Sequence, residues 1–124
     1  MNILSPILLL NGVIATGASA NIIRVVGINQ DIQFVVQSYF TTVGAGSITV
    51  LTIDGEGSLD TDYWFALGSH DYTATELTNK AAIFHIVNKP VNYFRLNVST
   101  LTSSGTIAIY GKVNYTGRAV SIGG

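Results

Sequence analysis

Apolar and polar residues alternate with a period of two along most of this chain. In Asp31–Phe40 the residues Ile32, Phe34, Val36 and Phe40 share one face, and Asp31, Gln33 and Gln37 the other. Tyr93–Ser99 alternates as cleanly, with Phe94, Leu96 and Val98 on one side and Arg95, Asn97 and Ser99 on the other. That period marks strands with one buried face. Further β-rich runs are Ile22–Val26, Ser47–Ile53, Tyr63–Leu67, Ala82–Val87 and Thr106–Tyr115. Between them, Asp54-Gly-Glu-Gly57, Asn88-Lys-Pro90 and Ser103-Ser-Gly105 read as turns and loops. Only Tyr72–Lys80 leaves room for a helical turn, and it reads equally as loop. Strands at a spacing of roughly 8–12 residues predict an all-β, single-domain antiparallel β-sandwich or jelly roll of about seven to nine short strands. That domain spans 1–124, with 1–12 as an N-terminal arm or edge strand.

Charge changes the picture more than size does. Charged residues make up 10% of the 124 residues, against about 25% in ordinary soluble domains. A surface so poor in charge fits a chain covered by neighbouring protein, and we expect a homo-oligomer or an assembly component. The six basic and seven acidic residues form no run of one sign, so neither nucleic acid nor a polybasic membrane contact is expected. The chain has no cysteine, which removes disulfides and thiolate chemistry. Ala18-Ser-Ala20 matches a small-x-small cleavage pattern, but no lysine or arginine precedes it and Asn11-Gly12 interrupts the apolar run. We therefore expect no secretory leader, and both chain ends held by the domain. The apolar run is also too short to span a bilayer.

Little in the sequence looks like chemistry. Asp54, Glu56, Ser58, Asp60 and Asp62 alternate like the oxygen ligands of a calcium loop. That loop needs glycine at its sixth position and glutamate at its twelfth, where this chain has Leu59 and Phe65. Whether the four acids hold an ion in some other arrangement stays open; no metal or cofactor is expected. Ser69-His70-Asp71 contains the residue types of a catalytic triad, but adjacent residues rarely reach one another as a triad must. His70 is expected to be solvated in a polar turn, and His85 to be satisfied or at an interface on a partly apolar face with Ile83 and Val87. The chain is expected not to be an enzyme. Asn97-Val-Ser99 and Asn114-Tyr-Thr116 match the glycosylation pattern and carry no functional weight. Trp64, the sole tryptophan, follows Tyr63 and precedes Phe65 in a predicted strand, so at least one of Trp64 and Phe65 is expected in the core or at an interface.

Several pieces taken in order resemble a loose class of small β-sandwich structural proteins of tailed-phage virions. They are Val13–Ser19, the Gly57-Ser…Asp60…Trp64-Phe65 stretch, Tyr93–Ser99 and Gly105–Tyr110. Such proteins often carry a Gly-Ser-Asn-Asp-Gly-like turn before the tryptophan, which Leu59-Asp-Thr-Asp62 replaces here. The resemblance implies a capsid decoration (cement) protein or a related head or tail component, located in the virion. Its implied partners are the major capsid protein or other virion proteins. The candidate interface residues are Ile7, Leu8, Leu10, Trp64, Tyr63, Arg24 and Arg95. The alternatives are a carbohydrate-binding or adhesion module, with Trp64, Tyr63, Tyr72 and the nearby acids as its patch, and a tail or fibre subunit.

Overall fold

A computed structural model describes residues 6–25, 32–87 and 89–116. The strands are β1 (Ile7–Val13), β2 (Gly17–Ala18), β3 (Ile23–Arg24), β4 (Gln33–Ser58), β5 (Phe65–Asp71), β6 (Ala81–Val87) and β7 (Tyr93–Thr116), with one helix, α1 (Ala74–Asn79), between β5 and β6. All pairings are antiparallel. The main path runs β1-β7-β4-β5, with β2 and β3 also on β7 and β6 also on β4. The all-β expectation holds, though not the short strands, because β4 is 26 residues long and β7 is 24.

These two strands pair from Gln33–Thr116 at one end to Ser58–Tyr93 at the other. A straight ribbon of that length would run roughly 80 Å at about 3.3 Å per residue. Yet Phe34, near one end, stacks on Phe94, near the other, with ring centroids 4.0 Å apart. The ribbon must therefore fold back on itself. It does so where Gly44, Ala45 and Gly46 of β4 oppose Gly105 of β7, a bulge with Gly44 at φ +59° and Gly105 at φ +71°. Bulges bend strands and increase their twist. One half of the ribbon, with β1 and β6 at its flanks, thus faces the other half, flanked by β5 and by β2 and β3.

The two inner faces make the core. Ile32, Phe34, Val36 and Phe40 are buried as the alternation predicts, and Phe94, Leu96 and Val98 are fully so; Asp31 lies outside the described residues. Two predicted turns are strand instead. Asp54–Gly57 continues β4, paired to β5 on one side and β7 on the other, and Ser103–Gly105 continues β7. Gly55 and Gly57 are glycines because neighbouring side chains crowd them, Ile86 from the opposite layer and Phe94, Leu67 and Val91 from beside them. A methyl on Gly55 would run into Ile86 Cδ1 and approach Phe94 Cζ at 2.9 Å; one on Gly57 would meet Leu67 and Val91 at 2.7 Å.

The segment 72–80 resolves as a capped helix. Thr73 Oγ1 accepts from the Glu76 N–H, Glu76 Oε1 accepts from the Thr73 N–H, and Lys80 closes the helix in the left-handed conformation. No helix among the described residues is long and apolar enough to cross a membrane. At the start of the chain, residues 7–13 form an edge strand. The expectation that both chain ends are held by the domain concerns residues outside the described ones. Ser19, within the cleavage-like motif, is buried, and its N–H donates to Leu96 O at 2.7 Å.

Candidate functional site

The loop from Ser58 to Trp64 is built by its own polar side chains. Ser58 Oγ accepts from the N–H groups of Asp60 (3.1 Å) and Thr61 (2.9 Å). Asp60 Oδ1 accepts from Asp62 N–H (2.9 Å), Tyr63 N–H (3.1 Å) and the Ser58 hydroxyl. Such self-bonding by short polar side chains replaces a regular ladder at turns. Thr61 takes a positive φ of 69° at the apex. The backbone N–H groups of Tyr63 and Asp62 hold the Asp60 carboxyl below the ordinary carboxylate range. The loop is also tied to the chain after β6: Asn92 Nδ2 donates to Leu59 O at 3.1 Å, and Asn92 N–H to Ser58 O.

Trp64 and Arg95, both expected to face a partner, face each other. The guanidinium lies 4.2 Å from the indole ring centroid and donates through Nε to Glu56 Oε1 at 2.7 Å. The indole N–H donates back to Thr61 O at 2.9 Å. Trp64 precedes β5 and is half-buried, while Phe65 begins β5 and is 67% exposed. Neither ring enters the core. The strand alternation expected for this pair does not operate, because the loop continues through Trp64.

The loop presents three apolar side chains to solvent: Leu59 at 69%, Tyr63 at 70% and Phe65 at 67% exposure. Behind them lies a cleft of about 430 Å³, lined also by Leu67, Pro90 and Val91. Leu67 is the extra residue of a bulge in β5, since Gly55 pairs with Gly68 and Glu56 with Ala66. The sequence singled out Tyr63 here. Leu59, Phe65 and Val91 were missed as a group because Val91, distant in sequence, reaches the loop only through the pairing of Tyr93 with Ser58, and no local pattern marks that approach.

The remaining candidates scatter. Leu10 is fully buried beside Gly111 and Leu96, so its side chain belongs to the core, while Ile7 is exposed and Leu8 half-buried on the edge strand. Arg24 is exposed in β3. Tyr72 is buried; its hydroxyl donates to Ser38 Oγ at 2.7 Å, and burial pushes its pKa up to about 12.

The acids disperse. Asp54 Oδ1 accepts from Ser69 Oγ (2.6 Å) and Ser99 Oγ (3.2 Å), Glu56 pairs with Arg95, and Asp60 serves the loop. No group of three or more His, Asp or Glu side chains suited to a metal occurs among the described residues. Ser69, His70 and Asp71 also part company. Ser69 bonds Asp54, Asp71 accepts from Thr52, and His70 bonds Glu76 at 2.8 Å while stacking on Phe84 at 5.0 Å. His70 is therefore half-buried in β5 and not solvated in a turn. Set beside known protein families, curated proteins and solved structures, the chain matches none of them.

Proposed function

We propose that this chain is a non-catalytic structural subunit of the capsid-decorating kind that its sequence resembles, attached to a shell protein through the ledge formed by Leu59, Tyr63 and Phe65. One observation carries the reading. Three large apolar side chains stand exposed on a loop fixed by hydrogen bonds from its own Ser58 and Asp60 side chains, over an apolar cleft. Contiguous exposed apolar surface marks an interaction site, and aromatic anchors that enter a partner's pocket dominate interface energies. The low charge of the chain agrees with a surface that spends its life covered. Sedimentation of the purified chain with shells of the major capsid protein that this reading implies tests this. The wild-type chain should sediment with the shells and Phe65→Asp should stay in the supernatant. Wild-type protein that also remains in the supernatant at native salt would sink the proposal.

The same rim supports a second reading, a saccharide platform, because Tyr63 and Phe65 present two exposed rings beside one cleft. Trp64 lies next to both and reports on either ligand. A titration with saccharides that leaves its fluorescence unchanged removes the second reading without touching the first.

A further inference from the structure

An open sheet edge exposes a row of unpaired N–H and C=O groups, and proteins blunt such edges with bulges, charges, proline or short length. Most edges of this sheet are blunted in those ways. β1 carries two bulges, β2 and β3 are two residues each, and β5 has the Leu67 bulge and ends on Asp71. β6 has none of these devices. Its seven residues, AAIFHIV, run in unbroken register against β4 from Tyr39–Ala81 to Gln33–Val87, without an acid, a lysine, an arginine or a proline.

The hydrogen bond from Phe40 N–H to Lys80 O, 3.1 Å, sets the phase of that ladder. By antiparallel alternation, Ala82, Phe84 and Ile86 turn their backbone groups toward β4, while Ala81, Ile83, His85 and Val87 turn theirs to the open side. The same four residues carry exposed side chains, with Ile83 at 59%. Among the described residues no strand pairs with that side.

We infer that β6 is a self-pairing edge, through which two copies of this chain join antiparallel about a two-fold axis at Phe84. In that register Ile83 lies opposite His85 of the second copy and Ala81 opposite Val87. Every outward N–H and C=O of the strand then finds a partner, and both sheets merge into one. The side-chain chemistry selects a second copy over a charged peptide. The outer face of β6 offers no counter-charge to a foreign strand, whereas pairing with itself sets Ala81 beside Val87 and Ile83 beside the His85 ring, with no like charges opposite. The inference stands apart from the ledge at Phe65, which lies on a different strand.

Sedimentation equilibrium over a range of concentrations, with amide hydrogen exchange, tests it. The protein should be a dimer that dissociates on dilution. The amides of Ile83 and His85 should exchange slowly in the dimer and become fast on dilution, while those of Phe84 and Ile86, bonded to β4, stay slow throughout. Ile83→Pro removes one outward N–H and none of the bonds to β4, so it should weaken the dimer at least about tenfold without altering the circular dichroism. A monomer at every concentration, with Ile83 and His85 amides exchanging at the solvent rate, would overturn the inference, as would a dimer that Ile83→Pro leaves intact. Should that variant fail to fold, the exchange pattern of the wild-type protein decides.

Discussion

A methyl group at Gly55 has nowhere to go, since Ile86 from β6 and the edge of the Phe94 ring already fill the space above it. This position shows how one residue type carries two messages. Glycine beside aspartate signals a turn when read locally, and Asp54-Gly-Glu-Gly57 has the composition of one. The physical requirement is the close approach of two sheet faces, which depends on residues far away in the chain. Gly55→Ala should therefore destabilise the fold by about 1–3 kcal/mol, the usual cost of overpacking a core. Denaturant unfolding measures it. A turn glycine away from the core would give a much smaller loss. Trp64 teaches the same lesson in the other direction. Its rarity made it conspicuous, but its ring is engaged by Arg95 and its N–H by Thr61, and its less conspicuous neighbours Tyr63 and Phe65 face solvent.

At the scale of elements, the faces of β4 and β7 were legible because alternation is a local property. Phe34, Val36, Phe40, Phe94, Leu96 and Val98 all point where the period of two sends them. Strand length was not legible. The glycines that interrupt the pattern at 44, 46 and 105 mark a bend inside continuous strands, and a bend and a loop use the same residues. At this bend a methyl on Gly46 would strike the carbonyl oxygen of Thr106, a backbone atom. Backbone cannot move aside as a side-chain terminus can. Gly46→Ala should thus lower the thermal midpoint more than Gly68→Ala, whose methyl would meet Ile86 Cγ1 at 3.2 Å; paired calorimetric scans check the ranking.

For the whole molecule, the two halves of the ribbon hold each other through a core crossed by a buried hydrogen bond from Tyr72 to Ser38. The phenol titrates at about 12 when folded, against an ordinary value of 10. The unfolded chain therefore loses this proton first as pH rises. The contribution is complete below about pH 10 and is lost between there and about pH 12. Alkaline unfolding should steepen across that window, and Tyr72→Phe should remove the steepening while leaving Ser38 short of its partner, at about 1–3 kcal/mol. A wild-type curve flat through that range would contradict this. The folded-back ribbon also governs how the chain reaches its native state. Gln33 must find Thr116 and Ser58 must find Tyr93, so no part of the central ladder forms between sequence neighbours. Closing such loops before any contact repays them makes a chain slow, in the range of about milliseconds to seconds for β-rich domains. Until it meets β4 the strand AAIFHIV is unpaired on both of its edges, so crowded nascent chains meet their greatest hazard of mispairing before that ladder forms.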